Sequence, residues 1–108
     1  MYFTLYSYAK DIAESKELFE KVISKFPPGE ITESDGENYW KIEGVFVYGA
    51  KLNVCLSIQE IRAILENICD KWLNFGSPVQ EFLASDTIEG GCTFFDNRIK
   101  MIIVYLDE

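Results

Sequence analysis

The sequence predicts a single α+β domain over residues 1–108, with one largely antiparallel sheet of four to five strands and two helices packed on one face. Two segments repeat apolar residues at the spacing of an amphipathic helix, and several shorter segments alternate apolar with polar residues as half-buried strands do. A hydrophobic content of 48%, with 15% aromatic residues, is sufficient for one core at this length. Placing both helices on one face of the sheet is the simplest way to bury both apolar stripes.

The chain opens with a predicted strand followed by a predicted helix. Residues Tyr2 to Tyr8 are rich in aromatic side chains that favour strands. A helix is expected from about Lys10 to Phe26, and Pro27 ends it because proline has no amide hydrogen to donate. The side chains expected on its buried face are Ile12, Phe19, Val22, Ile23 and Phe26.

The middle of the chain predicts a polar connection and then a pair of strands. Glu30 to Asn38 is polar and contains a turn signal. Residues 39–48 begin with alternating apolar and charged side chains, the pattern of a strand. Gly49 to Lys51 is expected to turn the chain, so that residues 52–56 form a returning strand. A bend at Gly44 is the alternative.

A second helix is the clearest element of the sequence. Ser57 and Glu60 match a capping box, in which each side chain accepts a hydrogen bond from the other residue's backbone amide. Gly76 is placed to end the helix. The predicted apolar stripe consists of Ile58, Ile61, Leu65, Ile68 and Trp72. Residues 77–87 suit either a short helix or a strand, and mixed or short-helical structure is the expectation there.

The last segment predicts a β-hairpin. Cys92 to Phe95 and Ile99 to Leu106 are strand-like and are separated by a short polar turn. The five consecutive apolar residues from Met101 to Tyr105 indicate a strand that is buried on both faces and lies near the centre of the sheet.

The formal net charge of −8 is distributed unevenly along the chain. Residues 1–28 and 51–78, which hold the two predicted helices, are each neutral, whereas residues 29–50 and 79–108 each carry −4. A strongly acidic chain is a poor ligand for nucleic acid or an anionic membrane, whose phosphates require Lys and Arg. If the two acidic segments are neighbours in the sheet, they form one negative surface that attracts a basic protein.

The candidate partner-binding residues follow from this charge pattern and from the aromatic residues. Tyrosine and tryptophan are enriched at protein interfaces, and Tyr2, Tyr6 and Tyr8 share one face of the first strand. Trp40 follows directly on the acidic connection and is a candidate anchor, although a tryptophan in a strand more often occupies a core position. The complete set of candidates is Glu30, Glu33, Asp35, Glu37, Trp40, Asp86, Glu89 and Asp96.

The sequence lacks the groups on which most enzymes depend, so we expect no catalytic activity. There is no histidine, which removes the commonest general base and metal ligand. No phosphate-binding glycine motif occurs, and the acidic run around Asp35 lacks the spacing of a calcium loop. We therefore expect no cofactor and no metal.

The expected location is the cytoplasm. No apolar stretch approaches the roughly 18 residues needed to cross a membrane, and the first residues lack the basic start of a secretion signal. The three cysteines Cys55, Cys69 and Cys92 form no CxxC pair, and we expect them to be reduced structural residues.

In its length, its acidity, the Glu30–Glu37 segment, the aromatic strands and the closing hairpin, the chain resembles the small acidic immunity proteins of bacterial toxin–immunity systems, including contact-dependent growth inhibition. The resemblance implies a cytoplasmic inhibitor whose partner is a cognate toxin domain, often a nuclease. Two alternatives remain open at this point. One is a phage anti-defence protein that mimics DNA, and the other is a regulatory or assembly domain that self-associates through tyrosines and an edge strand.

Overall fold

The computed structural model describes residues 1–27, 30–33, 37–38, 44–53, 56–76, 80–87 and 92–106. These residues form two helices and seven strands. Their order along the chain is β1 (Tyr2–Ser7), α1 (Ile12–Ile23), β2 (Glu30–Glu33), β3 (Glu37–Asn38), β4 (Phe46–Asn53), α2 (Ile58–Glu66), β5 (Leu73–Phe75), β6 (Glu81–Ser85) and β7 (Ile99–Tyr105).

All the strands belong to one antiparallel sheet in the order β2-β4-β1-β7-β6-β5, and the two-residue strand β3 pairs with β4 as well. Five of the strands have four or more residues, and β3 and β5 are shorter. The predicted α+β fold with a largely antiparallel sheet is therefore confirmed. The sheet centre is β1, which pairs with β4 on one side and β7 on the other.

Helix α1 begins at Asp11, whose carboxylate accepts a hydrogen bond from the Glu14 amide at 2.8 Å. This cap satisfies one of the amides that have no partner within the helix. The helix is shorter than predicted and ends at Ile23. Its buried face also differs from the prediction: Ile12 is 47% exposed, because the face against the sheet is set by Leu18, Phe19 and Val22.

The centre of the core is a cluster of aromatic rings beneath α1. The Phe19 ring lies 4.7 Å from the Tyr48 ring and 6.1 Å from the Phe3 ring, measured between centroids. Phe26 meets Phe3 edge-on at 5.9 Å. Aromatic pairs at these separations add to the stabilisation that burial provides. Because Phe3 belongs to β1 and Tyr48 to β4, Phe19 fixes the helix over the two central strands.

Helix α2 begins with the predicted capping box: the Ser57 amide donates to Glu60 at 3.1 Å, and the Glu60 amide donates to the Ser57 hydroxyl at 3.2 Å. The prediction that the helix continues to Gly76 is wrong, because it ends at Glu66. The Trp72 indole nitrogen then donates to the carbonyl of Leu65 at 2.8 Å. Trp72 thus folds back on the end of the helix instead of extending it.

Both helices lie on the same face of the sheet, as predicted. Ile61 and Leu65 of α2 belong to the same core cluster as Phe19 of α1, together with Phe82 and Val104. Phe82 is on β6 and Val104 is on β7. Helix α2 therefore covers the part of this same face that α1 does not reach.

The middle of the chain contains more strand than the sequence predicts. The polar connection includes β2 and β3, which both pair with β4. The expected turn at Gly49 to Lys51 is wrong, because Gly49 pairs with Thr4 inside β4. The chain turns instead at Gly44, whose φ of +81° is a conformation that favours glycine. Residues 39–43, 54 and 55 of the predicted strands lie outside the described residues.

The end of the chain confirms one predicted strand and corrects two other predictions. Strand β7 lies between β1 and β6 as expected for a central strand, but only one of its faces is fully buried. Residues 81–85 form strand β6 instead of mixed or helical structure. Cys92 to Phe95 is no hairpin strand, because Phe94 makes a single antiparallel bridge with Cys69 instead of pairing with β7.

The core arrangement predicts that Phe19→Ala lowers the free energy of unfolding by about 3–4 kcal/mol, since it removes a fully buried ring. The measurement is urea unfolding followed by circular dichroism. The control is Ile12→Ala in the same helix, where an exposed side chain should change stability by less than about 0.5 kcal/mol. Similar losses in the two variants would show that the buried face of α1 is assigned incorrectly.

Candidate functional site

The face of the sheet opposite the helices is a broad surface on which most side chains are aromatic or aliphatic. We call it the open face. The strand register of β1, β4, β5, β6 and β7 assigns to it Tyr2, Thr4, Tyr6, Val47, Gly49, Lys51, Leu73, Phe75, Glu81, Leu83, Ser85, Met101, Ile103 and Tyr105. All of these residues except Ser85, which is 4% exposed, are half-buried or exposed, whereas their neighbours along each strand that point to the helices are mostly buried.

One row of side chains crosses the open face from β5 to β4. Phe75 pairs with Glu81, Glu81 with Tyr105, Tyr105 with Tyr2, and Tyr2 with Lys51. The Lys51 ammonium lies 5.4 Å from the centre of the Tyr2 ring, within range of a cation–π interaction. The row therefore presents two adjacent tyrosines with an acidic residue on one side and a basic residue on the other.

The open face is more exposed at the end of the sheet where this row lies than elsewhere. Tyr2 and Tyr105 are 46% and 47% exposed, and Phe75 at the edge strand is 46% exposed. Leu73, also on β5, is 41% exposed. Single exposed apolar side chains are ordinary on a protein surface, but a contiguous group across several strands marks an interaction surface. The arrangement is therefore suited to binding another macromolecule.

Two features of the sequence produce this surface. In β1 aromatic residues occupy both faces, so that Phe3 is buried while Tyr2 and Tyr6 remain on the other side. In β7 the apolar run puts Ile102 and Val104 into the core, which leaves further apolar residues for the open face. Strand side chains alternate between faces, so an uninterrupted apolar run supplies both.

The described acidic candidates of residues 29–50 lie on two strands that pair with β4. Glu30 and Glu33 belong to β2, where they pair with Asn53 and Ala50. Glu37 belongs to β3 and pairs with Val47. Asp35 and Trp40 lie outside the described residues, and so does Glu89 of the second acidic segment.

Asp86 follows β6 and is held in a polar cluster with Tyr8 and Lys100. It accepts hydrogen bonds from the Tyr8 hydroxyl and, at 3.2 Å, from the Lys100 ammonium. The hydrogen bond to Asp86, followed by burial, raises the pKa of Tyr8. Burial on its own would lower the pKa of Lys100, but the hydrogen bonds to Tyr8 and Asp86 outweigh it, so this pKa is raised. The Asp86 charge is thus balanced within the chain.

Asp96 is paired in the same way, with Arg98. The Arg98 guanidinium donates to both carboxylate oxygens, at 3.1 Å from Nε and 2.8 Å from Nη2. This bidentate hydrogen bonding holds the pKa of Asp96 below its usual value. Arg98 also lies 3.7 Å from a carboxylate oxygen of Glu14, which connects the cluster to α1.

The described strands of the two acidic segments are not neighbours in the sheet. Strand β1 lies between β4 and β7, so it separates the strands of residues 29–50 from those of residues 79–108. Strands β2 and β6 are four positions apart, about 19 Å at the usual strand spacing. The apolar and aromatic open face, by contrast, runs continuously across the strands between them.

The sequence predicts that Tyr2, Tyr6 and Tyr8 share one face. The register assigns Tyr2 and Tyr6 to the open face, whereas Tyr8 follows β1 and contacts Asp86 and Lys100.

The sequence did not indicate Leu73, Phe75 or Tyr105 as part of this surface. Trp72 continues the apolar spacing of α2, and this made the following residues resemble the end of a helix. Asn74 lies between two large apolar residues, and this alternation was the available signal for a strand.

The other features of the described residues are weaker candidates for a functional site. A cleft of about 190 Å³ lies between α2 and the β5–β6 edge, with Arg62, Trp72 and Phe82 among its lining residues, and it is smaller than most ligand pockets. No group of three or more His, Cys, Asp or Glu side chains within the described ranges is arranged to hold a metal ion. None of the helices in these ranges is long and apolar enough to cross a membrane.

The comparisons with known proteins give no guide to the site. No protein-family model matches the sequence, and neither the search of curated proteins nor the search of solved structures gave a significant match.

The Asp96–Arg98 pair predicts a pH-dependent stability. We expect Asp96→Asn to lower the free energy of unfolding by about 1 kcal/mol at pH 7, because a half-buried charge-assisted pair is lost. A carboxyl whose folded pKa is lowered contributes stability above its unfolded pKa of about 3.9 and loses it as the pH falls through the folded pKa. The difference should therefore vanish under strongly acidic conditions.

The measurement is urea unfolding of both proteins between about pH 7 and pH 2. Glu20→Gln, at an exposed position of α1, is the control and should change stability by less than about 0.5 kcal/mol. A difference for Asp96→Asn that stays constant down to the lowest pH would contradict an electrostatic origin.

Proposed function

We propose that this chain is a protein-binding inhibitor of the immunity type, which neutralises a basic toxin domain by docking it on the open face. The observation that carries the proposal is the uncovered sheet face with its adjacent tyrosines Tyr2 and Tyr105, each nearly half exposed. Tyrosine side chains bind partners well because they offer a large rigid surface with a polar tip. A cytoplasmic location is part of the proposal.

Charge supports a basic partner. The net charge of −8 gives the chain a negative field, which accelerates association with a positively charged protein. A nuclease domain is a partner of this kind, because it must carry a basic surface to hold the phosphates of its substrate. The roles are divided in this proposal: the field brings the partner to the chain, and the open face supplies the contact.

A different location for the contact would be an acidic surface built from Glu30, Glu33, Asp35, Glu37, Trp40, Asp86, Glu89 and Asp96. The geometry favours this acidic surface less than the open face, because Asp86 already pairs with Lys100 and Asp96 with Arg98. The same pairs weigh against a DNA mimic, which requires carboxylates that are free to stand in for phosphates. We assign these acidic residues a role in the long-range field.

The test is the double variant Tyr2→Ser/Tyr105→Ser, whose binding to a basic toxin domain, sought first in the neighbouring gene, is compared with that of the unaltered chain. We expect its affinity to fall at least ~100-fold, because aromatic residues at the centre of an interface dominate the binding energy. Binding is measured by isothermal titration calorimetry. Protection is measured as growth of cells that express both proteins. Circular dichroism establishes that the variant is folded.

The matched control is Ile12→Ser, since Ile12 is 47% exposed like Tyr105 but lies on α1. It should bind and protect as the unaltered chain does. The association rate of the unaltered chain should also fall as salt increases, since salt screens the field. Full affinity in the double variant, or loss of affinity in the Ile12 variant alone, would show that the partner binds elsewhere.

Self-association is the second candidate, and one observation favours it. Strand β5 ends the sheet with Leu73 and Phe75 exposed, and an exposed apolar edge strand is a surface on which another copy can pair. Light scattering at about 100 μM distinguishes the two candidates. A monomer supports the immunity proposal, whereas a dimer that dissociates after Leu73→Lys or Phe75→Lys supports self-association.

A further inference from the structure

Glu81 lies on the open face between two exposed aromatic side chains. In the strand register it pairs with Phe75 of β5 on one side and with Tyr105 of β7 on the other. Phe75 is 46% exposed and Tyr105 is 47% exposed. Side chains that are directly opposite each other in antiparallel strands have Cβ atoms about 4.5–5.5 Å apart. The acidic side chain therefore has an aromatic neighbour on each side.

Backbone hydrogen bonds fix the chain beside Glu81 to both neighbouring strands. The Gln80 amide donates to the Phe75 carbonyl at 2.8 Å, and the Leu106 amide donates to the Gln80 carbonyl at 2.7 Å. A group of side chains carried by paired strands is held more precisely than one carried by loops. The acidic residue and its two aromatic neighbours therefore keep a fixed relation to each other before any partner arrives.

Glu81 differs from the other half-buried acidic residues among the side chains that the structure describes. Those residues are Glu14 and Asp96, and both pair with Arg98, at 3.7 Å and 2.8 Å between nitrogen and oxygen. The carboxylate of Glu81 is half-buried as well, but it makes no hydrogen bond and no ion pair within the described part of the chain. A partly buried charge costs free energy unless a partner compensates it. This carboxylate is therefore available to bind a cation.

An arginine side chain fits this arrangement better than other cations do. A carboxylate accepts two parallel hydrogen bonds from a guanidinium group. The guanidinium is planar and stacks on aromatic rings, whereas the ammonium of lysine is compact and strongly hydrated. A calcium ion requires several oxygen ligands, and Glu81 is the only acidic residue that β1, β4, β5, β6 and β7 place on the open face.

We propose that Glu81, Phe75 and Tyr105 form a binding subsite for an arginine side chain of the partner. The carboxylate binds the guanidinium, and the two rings flank it. The subsite rests on the proposed function, because it takes the open face as the docking surface, and it specifies which group of the basic partner is recognised there. The net charge acts on the partner at a distance, whereas this subsite acts in contact and fixes the position of the partner on the sheet.

The first experiment uses a small ligand, so that its result does not depend on the toxin domain. N-acetyl-arginine amide is titrated into the unaltered chain, and the backbone amide signals of Phe75, Glu81 and Tyr105 are followed by NMR. We expect these signals to shift saturably, with a dissociation constant in the millimolar range, because a single side chain makes few contacts. N-acetyl-citrulline amide, an uncharged analogue of the same shape, should cause no saturable shift. The absence of a saturable shift at these residues with the arginine ligand would overturn the proposal.

Variants of the chain then assign the interaction to its groups. Glu81→Gln keeps the size of the side chain and removes its charge, and we expect it to weaken the binding of the arginine ligand at least ~10-fold. Phe75→Leu, which removes one ring and keeps the carboxylate, should weaken binding by roughly 2–5-fold. The matched control is Glu20→Gln, which removes an exposed carboxylate on α1 and should bind as the unaltered chain does. Equal binding by Glu81→Gln and the unaltered chain would contradict the proposal.

Binding of the toxin domain separates this subsite from the proposed function. We expect Glu81→Gln to lower the affinity for the toxin domain at least ~10-fold although both tyrosines are intact. A toxin domain that binds Glu81→Gln fully but loses affinity for Tyr2→Ser/Tyr105→Ser would overturn the subsite and leave the proposed function standing. A toxin domain that binds the tyrosine double variant fully, while the arginine ligand still binds at Glu81, would overturn docking on the open face and leave the arginine site standing.

Discussion

The antiparallel pairing of β1 with β4 and β7 is the constraint on which the rest of the structure depends. Phe3 and Leu5 point from this central strand into the core, where Phe3 meets the aromatic rings beneath α1. The same alternation places Tyr2 and Tyr6 on the other side. A shift of the register by one residue would exchange the two faces, burying the tyrosines and exposing the core. The fold and the open face are therefore set by the same hydrogen bonds.

The arrangement of charge follows from this architecture. Both helices cover one face, and the carboxylates that flank them act within the chain: Asp11 and Glu60 accept amide hydrogen bonds at the helix starts. Asp86 and Asp96 pair with Lys100 and Arg98 near the end of β1. The net charge of −8 is then a property of the whole molecule, while shape and exposed apolar area distinguish the open face. A long-range field and a local apolar contact together are what the proposed binding of a basic partner requires.

The parts of the fold that the sequence predicted are those set by local physics. The Ser57–Glu60 capping box, the first strand and the apolar run of β7 are each recognisable within a few residues. The parts it missed depend on distant partners. Residues 30–33 include only one apolar side chain, Ile31, yet they form a strand because β4 offers a free edge. Residues 73–75 leave the helix pattern because Trp72 folds back on α2. The open face combines five strands, so no single stretch of sequence could show that its residues are adjacent.

The central claim is that the partner lies on the face of the sheet away from the helices. Cross-saturation NMR of the complex tests this most directly, because it records which methyl groups of the chain approach the partner's protons. We expect attenuated signals for Leu83, Met101 and Ile103 on the open face and unchanged signals for Leu18 and Ile61 beneath the helices. Unchanged open-face methyl signals, with attenuation confined to the exposed surface of the helices, would contradict it.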